Sequence, residues 1–375
     1  IKNIAKAMEK LIEESEKHNL FLPDLAEKFK ELSNLINEII PETIMEELNK
    51  IQSSLDDMNL EDIQKSLEQM AQNMNEVESE LDRYIDIFKR LKAEQKLDEL
   101  KNRLEKLIQQ KNKLDDDIKN IKNEPSTNNE QRITQEEQRL LDELKQLNNE
   151  MNQSSRLIEP FSQNSANKIE ELSESEDYED AKNNIQNTIS NLQKSNNKKA
   201  RGSSQEALNS LYNLQNTLSM IQQQFQNETV SEMAAKLEKI MRDFLFLSKK
   251  QENLKEKTSS LSRNSSRLKA MTYNQQLIQD QLRQTTKQMI ELSKETFSIT
   301  PEIGKTVGLV NNSIEKIKSD LTNRNIRDAM GNQDIAIKGL NETALYLFQS
   351  IKQMQSSGSA SGFEQFLKMM QQMAG

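Results

Sequence analysis

Cysteine is missing from this sequence, and histidine occurs once, at His18, among 375 residues. Without cysteine the chain forms no disulfide, no thiolate nucleophile and no sulfur-based metal site. One histidine excludes a histidine dyad or a site built on several imidazoles, and we interpret His18 as a helix-end residue. Because nucleophile, base and cofactor motif are lacking together, we expect a protein that is not an enzyme and holds no cofactor or metal.

Proline and glycine are also scarce, with 5 and 8 residues. Both weaken or break the hydrogen-bond ladder of a helix, so long helices avoid them. Pro23, Pro41 and Pro301 each stand at the start of a periodic segment and are followed by an acidic residue. A proline in the first turn costs no hydrogen bond, and the acid suits the helix dipole. The prolines therefore indicate where helices begin.

Apolar residues make up only 34% of the chain and aromatic residues 4%, while 30% of residues are charged. A compact globule of this length normally carries more apolar residues. Leucine, isoleucine and methionine recur here at regular spacing, which favours thin helical rods over disorder, since each helix buries one narrow stripe. No run of 18 apolar residues occurs, so we expect no direct membrane span in this stretch.

The strongest periodic signal follows Asn59, which we interpret as an N-cap. Apolar residues alternate there in steps of four and three, slip in register near Glu94–Lys96, and resume. After a turn at Asn123–Asn129 a second periodic helix returns. The sequence therefore predicts an all-α fold, an elongated helical bundle with long antiparallel coiled-coil hairpins. The later seam residues are Leu97, Leu100, Leu104, Leu107, Leu114, Ile118 and Ile121 on the first helix and Ile133, Leu140, Leu144, Leu147, Met151, Ile158 and Phe161 on the second.

Changes of composition divide the chain into five segments. The acidic run Ser173–Asp180 and the polar stretch Asn196–Ser204 are interpreted as the borders of a short helix and as the hinge region, and Gly358–Gly362 is interpreted as a flexible break. The predicted segments are a short N-terminal helical cluster (1–58), a long coiled-coil hairpin (59–172), an acidic and polar hinge region with a short helix (173–204), a second helical bundle (205–357), and a flexible joint with an amphipathic tail helix (358–375).

The net charge of −9 is unevenly divided along the chain. Residues 1–200 hold 29 basic against 43 acidic side chains, and residues 201–375 hold 22 against 17. Charge helps to pair the two halves in one interpretation, and the asymmetry is chance along solvated faces in the other. No cluster of lysine and arginine rises above its surroundings, so we expect no nucleic-acid binding. The acidic run lacks the residue order of a Ca²⁺ loop and reads as a solvated loop.

The end of the chain carries an apolar face at helical spacing. Methionine-rich faces adapt to varied partners, so we interpret this face as a candidate partner-binding site, with packing inside the bundle as the alternative. A membrane-surface helix is disfavoured because Lys368 is the only basic residue in this segment. The candidate residues are Phe363, Phe366, Leu367, Met370 and Met373.

Two stretches resemble a known family. Residues 81–98, LDRYIDIFKRLKAEQKLD, and residues 358–366, GSASGFEQF, are similar to segments of an uncharacterised, domain-of-unknown-function family of long, membrane-anchored, coiled-coil-rich envelope proteins of Gram-negative bacteria. The resemblance covers most of the chain. It implies a location in the cell envelope, with this region in the periplasm, and it brings no catalytic residues. We therefore expect the chain to be a fragment of a longer protein.

These observations favour a non-catalytic structural or interaction scaffold as the function, with protein partners or self-association. An alternative is a signal-relaying helical module, which couples a membrane segment to a partner by register shifts at Glu94–Lys96 or Ser173–Asp180. A third class, a membrane-inserting helical protein, would depend on the tail helix. A heptad seam serves folding within one chain as well as oligomerisation, so the sequence leaves that choice open.

Overall fold

A computed structural model describes residues 27–28, 30–32, 34–35, 74–121 and 127–363. These residues form helices and connecting turns, with no strand among them, which confirms the predicted all-α class. The elongated outline and the coiled-coil packing stay predictions. Most of the N-terminal cluster, the turn around Pro125 and the chain beyond Phe363 lie outside the described residues. The helices are α1 (Met74–Asn120), α2 (Thr127–Ile158), α3 (Gln163–Ser173), α4 (Glu176–Gln193), α5 (Asn197–Ser259), α6 (Leu268–Ser293), α7 (Pro301–Thr322) and α8 (Ile326–Ser357).

The chain divides into two compact units. Unit I comprises residues 92–229, and unit II comprises residues 1–91 together with 230–375. Helices α1 and α5 supply residues to both units. This division follows contacts between distant parts of the chain, whereas the five sequence segments follow changes of composition. The segment boundaries stay predictions.

In unit I, α1 and α2 run antiparallel. The Arg103 guanidinium forms an ion pair with Glu150, and Lys111 Nζ lies 2.5 Å from Glu137 Oε1. Residue numbers rise on α1 while they fall on α2, so the helices point in opposite directions. Helix α1 is continuous through the expected register slip at Glu94–Lys96, which agrees with a slip that leaves the helix unbroken.

Helices α3 and α4 together form the third rod of unit I. Ser173 Oγ donates to Asn152 Oδ1 at 2.6 Å, and Ser195 Oγ donates to Glu130 Oε2 at 3.1 Å. Both pairs join this rod to α2. Residue numbers rise along the rod from Ser173 to Ser195 while they fall along α2 from Asn152 to Glu130, so the rod is antiparallel to α2. The rod is interrupted at Ser175, whose Oγ accepts a hydrogen bond from the backbone N–H of Tyr178.

The acidic run of the predicted hinge region begins α4. The helix starts at Glu176, and three acidic residues occupy its first turn. Carboxylates at a helix N-terminus interact favourably with the helix dipole, and a serine N-cap satisfies one of the free N–H groups. The run therefore acts as a helix start, and Glu174 and Ser175 are the residues that stand between the two helices.

The first part of α5 is the fourth rod of unit I. Lys111 Nζ donates to Ser204 Oγ at 3.0 Å, and the Gln222 amide donates to the Asp98 carboxylate. The reversed order of these pairs makes α5 antiparallel to α1. Residues of α5 also reach the N-cap of α3, since Ser162 Oγ donates to Glu228 Oε2 at 2.6 Å. Unit I is thus a bundle of four antiparallel rods.

Unit II repeats this arrangement with the second part of α5 and with α6, α7 and α8. Lys236 Nζ lies 2.6 Å from Glu295 Oε2, just beyond the end of α6, and the Gln251 and Gln275 amides bond to each other between α5 and α6. Asn332 Nδ2 donates to Asp320 Oδ2 at 2.8 Å between α8 and α7. The Lys318 ammonium bonds to the Gln276 amide of α6, and an ion pair between Lys255 and Asp334 joins α5 to α8. The four helices therefore close into an up-down-up-down bundle.

One apolar stripe of each helix forms the core of each bundle. Full burial of a leucine or phenylalanine side chain contributes about 1.5–3 kcal/mol, so the stripes hold the rods together. In unit II the completely buried residues include Leu237, Phe244, Leu282, Ile303, Val310, Ile314, Ile317, Leu340 and Leu347. In unit I they include Leu97, Leu100, Leu144, Ile169, Ile185, Leu211, Leu218 and Phe225.

The predicted flexible joint contacts the loop between α6 and α7. The Phe297 N–H donates to the Ser361 carbonyl at 2.8 Å, and Thr296 Oγ1 donates to the same carbonyl at 3.2 Å. Gly362 has a φ of 72°, and a Cβ atom there would stand 2.6 Å from Ser298 Oγ. Only glycine meets both requirements easily. These contacts favour a fixed conformation up to Gly362, and the flexibility of the joint stays a prediction.

Two glycines of α8 test the packing of unit II. A Cβ atom on Gly339 would stand 2.6 Å from Val310 Cγ2 of α7, whereas Gly331 has nothing within 4 Å of that position. We expect Gly339→Ala to lower the free energy of unfolding by about 1–3 kcal/mol, because the methyl group overpacks the α7–α8 contact. Gly331→Ala should raise it by about 0.5–1 kcal/mol, since alanine loses less backbone entropy. Urea unfolding beside the wild type measures both, and equal effects would contradict this packing.

Candidate interaction surface and buried polar layers

The predicted partner-binding face of the tail falls almost wholly outside the described residues. Phe363 is described and is half-buried. Its role as a partner contact stays a prediction. The residues outside the described chain are Phe366, Leu367, Met370 and Met373.

Unit II carries large apolar side chains on its α5–α6 face. Phe246 on α5 is 56% exposed, and Leu277 and Tyr273 on α6 are 45% and 65% exposed. Lys250 connects the two helices, because its Nζ lies 4.5 Å from the Phe246 ring centre and 2.8 Å from Gln281 Oε1. Gln281, Leu277 and Tyr273 are spaced four residues apart and so lie along one side of α6. We call Phe246, Lys250, Tyr273, Leu277 and Gln281 the α5–α6 strip.

A groove between α5 and α6 lies toward the opposite end of the same face. The Lys236–Glu295 pair and the Lys250–Gln281 contact both join α5 to the α6 side, and they fix the order along the face. The groove has a volume of about 310 Å³, with the buried side chains of Ile240 and Leu292 at its floor. Lys236, Lys239, Lys287 and Glu291 are among the residues that line it.

The groove residues leave a surplus of positive charge. Glu295 lies 2.6 Å from Lys236, and Glu291 lies 3.2 Å from Lys294, so both carboxylates are already paired. Lys239 and Lys287 form no ion pair with any residue that the structure describes.

Three carboxylates oppose this surplus on the same face: Glu232, which lies 2.9 Å from the same Lys236 that pairs with Glu295, Asp243 on α5, and Asp280, seven residues before Lys287 on α6. Asp243 follows Lys239 by four residues and shares its side of α5, and it has no ion pair within the described ranges either. Lys250 adds a further positive charge, since its contacts are an aromatic ring and a neutral amide. The α5–α6 face therefore combines exposed apolar side chains with lysines whose charge the carboxylates of the same face largely balance.

The helical periodicity of the sequence did not reveal this face. Residues 244–247, Phe-Leu-Phe-Leu, are apolar in an unbroken run, and one stripe accommodates only the buried Phe244 and Leu247. Leu245 and Phe246 point outward as a result. Leu345 and Phe348 on α8 also belong to the apolar pattern but are exposed. A run of four apolar residues in a helix is the signal that would have indicated a second face.

A buried polar layer crosses unit I. Lys111 on α1 and Glu137 on α2 are both completely buried, and Ser204 on α5 accepts a hydrogen bond from Lys111 at 3.0 Å. Interpolation between the α2 pairs at Ser173 and Ser195 places Thr188 of α4, also completely buried, at the level of Glu137. Each of the four rods thus contributes one polar side chain at this level.

Two buried carboxylate oxygens in or next to this layer have no hydrogen-bond partner in the described chain. Asp115, one turn beyond Lys111 and 2% exposed, forms an ion pair with Lys119 at 2.6 Å through Oδ2. Its Oδ1 and the Glu137 Oε2 accept no hydrogen bond from the described chain. Burial raises the pKa of the Glu137 carboxyl and lowers the pKa of the Lys111 ammonium. A buried charge pair is costly to desolvate, so the layer works against the stability that the apolar core supplies.

Three helices of unit II each carry a completely buried glutamine. Gln251 and Gln275 are completely buried and exchange two hydrogen bonds of 3.0 and 2.9 Å. Gln333 on α8 is also completely buried, and neither its Nε2 nor its Oε1 has a hydrogen-bond partner in the described residues. The neighbouring Lys255–Asp334 ion pair joins α5 and α8 near this level. An unsatisfied buried amide costs about 1–3 kcal/mol.

Comparisons with protein-family models, with curated proteins and with solved structures found no match. Within the described ranges, no group of three or more histidine or acidic side chains is arranged to hold a metal ion. None of the helices that the structure describes has a stretch of the length and hydropathy that crossing a bilayer requires.

Substitutions at Lys111 and Glu137 test the charged layer. We expect Lys111→Met to lower the free energy of unfolding by about 3–5 kcal/mol, because Glu137 is left buried without a compensating charge. Lys111→Met combined with Glu137→Met should recover that loss to within about 1 kcal/mol, since two apolar side chains then fill the layer. Lys106→Met, on the exposed side of α1, is the matched control and should change little. Urea unfolding measures all three, and a double variant as unstable as Lys111→Met alone would contradict the buried pair.

Proposed function

We propose that this chain is a non-catalytic interaction scaffold whose α5–α6 face in unit II binds a protein partner. The observation that supports this is the exposure of Phe246, Tyr273 and Leu277 beside a groove with an apolar floor. The apolar stripes of α5 and α6 already fill the core of the bundle, so these side chains are not needed for folding. Exposed apolar side chains that cluster on one face are typical of interaction sites.

The chemistry of the face favours one kind of partner, an acidic amphipathic helix. Two antiparallel helices form a groove into which a third helix packs with its apolar side. Lys239, Lys250 and Lys287 flank that groove and strip, and acidic residues at the edges of the partner helix would complement them. Glu232, Asp243 and Asp280 carry the opposite charge on the same face, so the acidic residues of the partner helix must align with these three lysines.

Location in the cell envelope, as part of a larger membrane-anchored protein, is the second component of the proposal. It is supported by the resemblance of residues 81–98 and 358–366 to the envelope family described above. The absence of cysteine agrees with an oxidising compartment. In this setting the helical bundles would hold the partner at a distance from the membrane anchor.

A photo-activated cross-linker at Tyr273 tests the interaction surface. We expect p-benzoylphenylalanine at this position, in the full-length protein in its native cells, to give a covalent adduct with a protein partner. The cross-linked peptide should be an acidic segment with apolar residues at spacings of three and four. Lys239→Glu with Lys287→Glu should reduce the adduct about tenfold or more, because the charge complementarity is reversed.

The control is the same cross-linker at Leu309, which is 61% exposed on α7 of the same unit. It should give no comparable adduct. A peptide that is basic, a second copy of this chain, or a lipid adduct at Tyr273 would each contradict the proposed partner. Equal yields of cross-linked adduct at Tyr273 and Leu309 would indicate non-specific binding to exposed apolar residues and would also contradict the proposed site.

A cysteine reporter tests the location. Met220 is 70% exposed on α5, so Met220→Cys should label readily without disturbing the core of unit I. We expect a maleimide that does not cross the inner membrane to label it in cells whose outer membrane is permeabilised. A cytoplasmic protein with an exposed cysteine serves as the control and should stay unlabelled. Labelling of Met220→Cys that requires lysis of the inner membrane would contradict a periplasmic location.

A further inference from the structure

We propose that the two buried polar layers set the register in which the helices of each bundle pair. The layer in unit I consists of Lys111, Glu137, Thr188 and Ser204, and the layer in unit II consists of the hydrogen-bonded pair Gln251 and Gln275. This inference concerns the interior of each bundle. It stands apart from the proposed function, which rests on an outer face.

The need for such a device follows from the apolar seams. Residues of the seam recur every three or four positions, so two helices that slide past each other by seven residues still place apolar side chains against apolar side chains. Hydrophobic burial therefore discriminates weakly between such registers. A polar residue within the seam discriminates strongly, because it is satisfied in one register and unpaired in the others.

In unit I the alternative registers would separate the charges. A slide of seven residues would place Lys111 opposite Leu144 or Glu130 in place of Glu137. It would place Glu137 opposite Leu104 or Ile118, which are buried seam residues. Either slide leaves at least one buried charge against an apolar side chain, which is strongly unfavourable. The observed register is the one in which Lys111 meets both Glu137 and Ser204.

The glutamine pair of unit II discriminates in the same way. A slide of seven residues between α5 and α6 would place Gln251 opposite Leu268 or Leu282, both buried in the core. The two hydrogen bonds between Gln251 and Gln275 would then be lost together. One layer is charged and the other is made of amides, so a helix that paired in the wrong unit would lose the Lys111–Glu137 ion pair or the two hydrogen bonds between Gln251 and Gln275. The layers therefore also favour the correct partner helices during folding.

Zero-length carbodiimide cross-linking reads the register directly, because it joins lysines to carboxylates that are in contact. Lys96 Nζ lies 3.5 Å from Glu150 Oε2 between α1 and α2, and Lys236 Nζ lies 2.6 Å from Glu295 Oε2 between α5 and the end of α6. The first pair reports on unit I and the second on unit II. The experiment compares the yields of these two links in the full chain by mass spectrometry.

Apolar replacement of one layer should disturb the reporter of its own unit alone. In Lys111→Met/Glu137→Met we expect the Lys96–Glu150 link to fall about twofold or more, since the apolar seam no longer discriminates registers. A link from Lys96 to Glu143, seven residues earlier, or links between chains should appear in its place. The Lys236–Glu295 link should keep its wild-type yield.

The matched variant is Gln251→Leu/Gln275→Leu in unit II. It should reduce the Lys236–Glu295 link and leave the Lys96–Glu150 link unchanged. The proposal would be overturned if the double variants kept both links at wild-type yield and eluted from a size-exclusion column at the same volume as the wild type. Loss of helical circular dichroism in the double variants would overturn it too, because the layers would then supply stability and not register.

Discussion

Burial of one narrow apolar stripe per helix is the interaction on which both units depend. With few aromatic residues and about a third of its residues apolar, the chain has no material for a deep core and uses its leucines and isoleucines along thin seams. Four antiparallel rods in each unit pack these seams against one another and away from water. The short turns, the proline at the start of α7 and the serine caps of α3 and α4 follow from that arrangement, because each ends or begins a rod where the bundle requires it.

Periodicity made the helical class predictable, and it also located several helix ends. Pro301 begins α7 as expected, and α2 ends at Ile158 near the predicted end of the returning helix. Periodicity does not show whether an apolar residue packs against another helix or faces solvent. Leu345 and Phe348 fit the helical pattern yet face outward, because a spacing of three or four states only that residues share a side. The relay and self-association hypotheses stay predictions for the same reason.

The polar layers were visible in the sequence as gaps. On α1 the apolar seam passes from Leu107 to Leu114, and on α2 from Ile133 to Leu140. In each helix the seam position four residues after the first of these does not hold an apolar residue. Lys111 and Glu137 occupy those two positions. A gap in one helix is ambiguous, since a long charged side chain often reaches solvent from the edge of a seam. Only the packing of α1 against α2 shows that the two gaps face each other. The sequence of one helix does not reveal which helix it packs against, or in which register.

The interruption at Ser175 has a consequence for how unit I assembles. It splits the third rod into α3, with 11 residues, and α4, with 18 residues. Isolated helices shorter than about 12–15 residues are marginal in water, because nucleation is costly. Helix α3 therefore needs a surface prepared by α2 and α5 before it is stable, whereas α2, with 32 residues, retains helical structure more readily. We therefore expect α3 to be the last helix of unit I to dock as the unit folds and the first to detach when it opens.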